Sequence, residues 1–198
     1  RFKKLNTAYS DYKIYTLNND KQQYRLIYTK NEERVTIIKC IGLGNNLPTG
    51  KIHIPNTVDG LPVVGIADYA FNDTALTGEL IIPNTVEYIG RSAFSNCKNI
   101  NSVKLGKNLK SISRMAFYNC KGINQNVLVI PEGVSHIGDL TFYNCNNLQS
   151  IIFPSTLDIL LEKTLKDCSG LKDILIKNEN MLSMNLDNIT ADIYLPSS

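Results

Sequence analysis

The sequence contains no tryptophan and only two histidines, His53 and His136. Two isolated imidazoles do not assemble into a Ser/Cys–His–Asp arrangement. The same scarcity, with no C-x-x-C pair, argues against a zinc site. No Gly-rich loop leads from a strand into a helix, so a phosphate cradle is missing. No carboxylate pair recurs at acid–base spacing. No apolar run approaches the ~18 residues of a membrane-spanning helix. Lys and Arg are not interleaved with aromatics, which argues against nucleic acid. The chain reads as non-catalytic, with no metal and no cofactor. Arg1 stands where a Met would start, and no apolar stretch follows. The expectation is a processed or trimmed fragment whose signal peptide has been removed.

Hydrophobic residues make up 43% of the 198 positions and charged residues 20%. That composition folds. Residues 1–51 hold 10 Lys+Arg against 4 Asp+Glu, and residues 52–198 hold 11 against 14. Residues 1–51 do not repeat. YRLIY (Tyr24–Tyr28) and VTIIKC (Val35–Cys40) alternate as strands around the polar TKNEER turn. Ile14–Leu17 adds a short strand, and Gly42–Gly50 reads as a loop. A solenoid needs its first coil shielded, so residues 1–51 are expected to be a β-hairpin cap.

From Ile52 onward one phrase recurs: an apolar-x-apolar-Pro run, then V-x-x-I-G, then A-F-x-x-C. Phe94 and Phe117 are 23 residues apart, as are Cys97 and Cys120. A period of this length belongs to leucine-rich solenoids. The coils are Ile52–Phe71 with an inserted turn at Asp59–Val63, Leu80–Ile100, Val103–Ile123, Leu128–Leu148 and Ile151–Leu171. A sixth begins at Ile174. Residues 52–177 thus hold about five to six repeats, and residues 178–198 a degenerate repeat with a closing strand. Strand alternation buries Leu128 and Ile130 and turns Val129 outward. The S-A-F-x-x-C phrase reads as one helical or 3₁₀ turn, its Phe filling the coil. Cys97, Cys120, Cys145 and Cys168 each follow three residues after the Phe position. Such recurrence suits small buried side chains better than disulfides or metal ligands.

IPNTVEYIGRSAFSNCKNI (Ile82–Ile100) and IPEGVSHIGDLTFYNCNNL (Ile130–Leu148) resemble the Treponema pallidum-type leucine-rich repeat of BspA-like bacterial surface proteins. The resemblance covers residues 52–176 most closely and extends to IYLP (Ile193–Pro196). It implies a β-rich leucine-rich repeat solenoid with a parallel sheet on its concave face, short helical or 3₁₀ turns and an N-terminal antiparallel β cap. It also implies a secreted or cell-surface, non-catalytic module in adhesion to host proteins or cells, with a protein partner and as a monomer. Gly106 for Pro, Thr141 for Ala and the degenerate fifth repeat around Leu160–Leu165 depart from the pattern.

The outward residue of each opening strand is expected to line the concave face. That column is His53, Ile81, Lys104, Val129, Ile152, Leu175 and Tyr194. Apart from His53 and Lys104 it is apolar, and exposed apolar stripes mark partner surfaces. β-propensity alone also fills strands with such residues. The flanking column is Lys51, Glu79, Ser102, Val127, Ser150, Asp173 and Asp192. A passive spacer in a larger surface protein and a carbohydrate-binding module are the alternatives. With one Tyr and no Trp in the column, the face is poor in stacking platforms for sugars.

Overall fold

The computed structural model describes residues 13–16, 24–43, 46–179 and 189–196. Three strands precede the repeats: β1 (Lys13–Thr16), β2 (Tyr24–Lys30) and β3 (Val35–Gly42). β2 and β3 form the antiparallel hairpin, and β1 adds to the other edge of β2. Asn31 closes the turn, its Oδ1 accepting from the Glu33 and Arg34 amides at 3.0 and 2.9 Å. Leu17, read as the end of the first strand, lies outside the described residues, as do positions 44 and 45 of the predicted loop and residues 180–188 of the degenerate repeat.

The first coil carries β4 (Thr49–Lys51), β5 (Thr57–Val58) and β6 (Leu61–Ile66). β4 therefore starts inside the stretch read as loop. The second coil holds β7 (Ala75–Ile81) and β8 (Tyr88–Ile89), and the third β9 (Ile100–Lys104) and β10 (Ser111–Ile112). The fourth holds β11 (Leu128–Val129) and β12 (His136–Ile137). Single strands mark the rest: β13 (Ser150–Phe153), β14 (Asp173–Ile176) and β15 (Asp192–Tyr194).

Equivalent strands stack in parallel. The V-x-x-I strands run β3-β6-β8-β10-β12, so the cap hairpin continues this sheet through β3. The opening strands stack as β4-β7-β9 and as β11-β13-β14-β15. The inserted turn of the first coil is the β5–β6 hairpin. Its Asp59 and Gly60 have φ of 52° and 77°, the pair that a tight primed turn demands. Asp59 then ties coil to cap, accepting from Lys30 Nζ at 2.6 Å and from the Tyr28 hydroxyl at 2.9 Å. The Lys30 bond first, and then the Tyr28 bond, hold its carboxyl below the usual value.

The core is a set of ladders along the axis. Phe71, Phe94, Phe117 and Phe142 are fully buried, and their rings stack at 5.0, 5.3 and 5.5 Å. The four cysteines behind them are buried and unpaired. Each thiol donates to the carbonyl of the Phe one coil earlier: Cys97 to Phe71, Cys120 to Phe94, Cys145 to Phe117 and Cys168 to Phe142, at 3.0–3.2 Å. The residue type is thus explained by bonding as well as by size: the site takes a small apolar group with one weak donor. Thr74 holds the equivalent place in the first coil, and its hydroxyl meets Cys97 Sγ at 3.3 Å. Thr141, where the pattern has Ala, keeps its buried hydroxyl bonded to the Gly138 and Ser113 carbonyls.

Opposite the strands, the predicted 3₁₀ turn forms at Glu162–Leu165. In the earlier coils the same stretch is a chain of i+3 bonds, as in Ala93 to Gly90, Ser95 to Ser92 and Cys97 to Phe94. Helix cannot propagate there, because two residues per coil are left-handed: Ser92 and Asn96, Met115 and Asn119, Leu140 and Asn144. Asn tolerates that region better than most residues, since its side chain bonds locally. Here the amides also bond between coils, Asn119 to Asn96 at 2.7 Å and Asn144 to Asn119 at 2.8 Å.

Candidate interaction surface

At the ends of β7 and β9 and in β11, β13 and β14 inward and outward residues alternate, because one face meets the coil interior and the other meets solvent. Leu80, Val103, Leu128, Ile151 and Ile174 point inward and are buried. Their neighbours point outward. Ile81, Val129 and Tyr194 are 52%, 50% and 50% exposed, which is high for large apolar side chains. Lys104 is exposed, while Ile152 and Leu175 are half-buried. The ladder sets these residues side by side: Ile81 opposite Lys104, then Val129, Ile152, Leu175 and Tyr194 in consecutive register.

His53 falls out of this column. β4 ends at Lys51, which lies opposite Thr77 and not Glu79, so His53 is exposed beyond the paired strand. The cause is local. The Tyr24 hydroxyl takes the His53 amide at 2.7 Å and holds the chain to the cap. Counting residues from the proline cannot reveal that anchor.

The spacing of 25 residues from Phe117 to Phe142 marks two extra residues near Asn124–Asn126 in the sequence, and the structure shows their effect. Among the described residues no ladder pair joins β9 to β11, so the concave face has two arcs. The two-residue insertion at Asn124–Asn126 opens this gap, and Gln125 splints it. Its Oε1 accepts from the Val103 amide, and its Nε2 donates to the Val103 and Val127 carbonyls at 3.2 and 2.9 Å. One side-chain amide thus reproduces the donor and acceptor of a missing strand residue. Gln125→Ala is expected to cost about 1–3 kcal/mol. Urea unfolding, with hydrogen exchange at the Val103 amide, checks this. Unchanged exchange there would remove the splint from the account.

Beside the apolar column, Ser150, Asp173 and Asp192 lie in register. Ser150 donates to Asp173 at 3.0 Å. Asp173 first, and then Asp192, push the Tyr194 phenol up. Of the remaining sequence candidates, His136 is exposed in the column of Tyr88 and Ser111 on the other sheet. Among the described residues no group of three or more His, Cys, Asp or Glu is placed to hold a metal. No described helix is long and apolar enough to cross a membrane.

Stacked coils with a displayed parallel-sheet face define a repeat solenoid, a class whose extended concave surfaces serve recognition. The chain belongs to the BspA type leucine-rich repeat family, whose model matches residues 64–188 in six copies. Solved structures agree in fold. The leucine-rich repeat protein TpLRR of T. pallidum is 25% identical with a TM-score of 0.65, over 81% of this chain and 71% of that one. A leucine-rich cell surface protein of Faecalibacterium prausnitzii is 23% identical, with a TM-score of 0.66 over 90% of this chain and 42% of that one. The pneumococcal vaccine antigen PcpA is 22% identical, with a TM-score of 0.65 over 87% and 41%. The last two likenesses concern fold alone, and the chain spans about two fifths of their length. No curated protein matches the chain in sequence.

Proposed function

We propose that this chain is a non-catalytic interaction module displayed outside the cell, which docks a protein partner on its concave apolar stripe. One observation carries the reading: Val129, Ile152, Leu175 and Tyr194 stand in unbroken register on a solvent-facing sheet. β-propensity accounts for Val129, Ile152 and Tyr194 in strands, but not for Leu175, which continues the apolar run between them. The family is generally non-enzymatic. Two solved relatives are described as a cell surface protein and a vaccine antigen, which supports display at a surface. On this reading the partner is an extracellular or cell-surface protein of a host.

The test is the double variant Ile152→Asp with Leu175→Asp. Both side chains are half-buried on the outer face. The two introduced carboxylates face each other across the ladder, so the thermal midpoint should fall somewhat while the fold is kept by circular dichroism. Affinity for a matrix or cell-surface protein captured by the parent should fall at least about tenfold. Equal capture by the folded variant would move the site elsewhere. A parent that captures nothing from matrix or surface preparations would make the chain a spacer.

A further inference from the structure

The net charge of residues 52–198 conceals a segregation. Residues 52–87 hold five Asp+Glu and no Lys or Arg. Residues 88–131 hold seven Lys+Arg and no Asp or Glu. Residues 132–198 hold nine Asp+Glu against four Lys+Arg. In a solenoid a run of sequence becomes a band across the axis, so these are acidic, basic and acidic bands.

The basic band is displayed. Arg91, Lys98, Lys104, Lys107, Lys110, Arg114 and Lys121 are all exposed. Of these seven cations, only Lys110 forms an ion pair among the described residues, with Glu87 at 2.8 Å. Four of the cations gather on the turn ridge opposite the concave face, in two columns. Arg91 and Arg114 occupy equivalent places, with the Ser92 amide on the Arg114 carbonyl at 3.0 Å. Lys98 and Lys121 do the same: Gly122 lies so close to Lys98 that an added Cβ would come within 2.4 Å of its carbonyl oxygen. In the first column Asp68 precedes Arg91 and Asp139 follows Arg114, as the Tyr69 amide on the Arg91 carbonyl and the Met115 amide on the Asp139 carbonyl show. The band is therefore two coils wide, about 10 Å at the spacing of stacked strands. The edges of the first column repel anions, while the places equivalent to Lys98 and Lys121 in the adjoining coils are the uncharged Ala75 and Asn146.

We propose that this ridge binds an acidic polysaccharide, laid across the solenoid axis along the basic band. The flanking acids exclude a broad polyanion. A nucleic acid duplex, with grooves of about 12 and 6 Å between its backbones, would put phosphates on both acidic edges. Single-stranded nucleic acid wants aromatic platforms. The ridge offers Tyr118, whose ring already stacks on Tyr143 at 5.1 Å, and at its acidic edge an exposed Tyr69 next to Arg91, which is no run of platforms along the band. No large apolar side chain is exposed between Arg91 and Lys98 or between Arg114 and Lys121, so a mixed acidic and apolar peptide finds no seat. Between the cations the Asn96 and Asn119 amides are bonded into the inter-coil ladder, so recognition rests on the four exposed cations, which suit sulfate or carboxylate groups carried on a hydrated sugar. Sugar stacking is not required, so the lack of tryptophan is no obstacle. This site is separate from the concave stripe.

The probe is heparin, with poly-glutamate and a single-stranded oligonucleotide of matched charge as competitors. The parent is expected to bind heparin at about 0.15 M salt with a steep salt dependence. The quadruple variant Arg91→Gln, Lys98→Gln, Arg114→Gln, Lys121→Gln should bind about a hundredfold more weakly, with a shallower salt slope and an unchanged thermal midpoint. Ile152→Asp with Leu175→Asp should leave heparin binding intact. No binding by the parent at that salt, or parental affinity in the quadruple variant, overturns the site. A competitor that outbinds heparin overturns the ligand class.

Discussion

Phe117→Ala is expected to lower the unfolding free energy by about 3–5 kcal/mol, the usual cost of truncating a fully buried phenylalanine. Phe117 has no exposed surface. Its ring lies between Phe94 at 5.3 Å and Phe142 at 5.5 Å, nearly parallel to both. Removing it opens a cavity in the middle of the stack, where no side chain can swing in from solvent. Phe71 ends the row of rings, with one ring neighbour at 5.0 Å. Phe71→Ala should therefore cost less. A folded domain has only about 5–15 kcal/mol to lose. The central variant is thus expected to be marginal at 37 °C and the terminal one folded. Urea midpoints measure both. A Phe117→Ala midpoint equal to the parent's would take that ring out of the core.

The fold was legible because its causes repeat. A Phe every 23 or 25 residues, a Cys three positions after most of them and an outward residue between two inward apolar ones all report the same geometry several times. The cap hairpin was legible from alternation alone. What stayed hidden depends on single contacts or on pooled numbers. Tyr24 anchoring His53 is one hydroxyl reaching across 29 residues. The lengthened period marks the insertion at Asn124–Asn126, but not that the Gln125 side chain fills the sheet gap in place of backbone. Ser92, Met115 and Leu140 are left-handed without being Gly or Asn, because the ladders on either side impose the turn. The basic band was present in the sequence, but a total over residues 52–198 cancels it against its neighbours. Counting charge per coil finds it. The apolar stripe was legible as a column, but its break at the Gln125 gap was not.

Raising the pH should unfold this protein far more sharply than its composition suggests, and the thiol ladder is the reason. Burial pushes the Cys97 thiol up to about 11 and the Cys168 thiol up to about 12. It drives those of Cys40, Cys120 and Cys145 well above the ordinary value. The bonding agrees, because each ladder thiol donates its proton to a Phe carbonyl. In the unfolded chain the same thiols ionise near ~8.5. Below that value both states keep the proton and stability is intact. Above it the unfolded state binds fewer protons, so stability falls with pH until the folded thiols themselves ionise, from about 11 upward. Each thiol costs about 1.4 kcal/mol per pH unit, and five together about 7 kcal/mol. Against a total of about 5–15 kcal/mol, one to two units suffice. Under a reducing agent, circular dichroism should therefore show a cooperative loss of structure between about pH 9.5 and 10.5. The double variant Cys120→Ser with Cys145→Ser keeps a donor at both carbonyls and removes two titrations. Its alkaline midpoint should rise by about half a unit, although serine makes no better core. A parent still folded at pH 11, or a variant with an unmoved midpoint, would show that the buried thiols do not govern the alkaline limit.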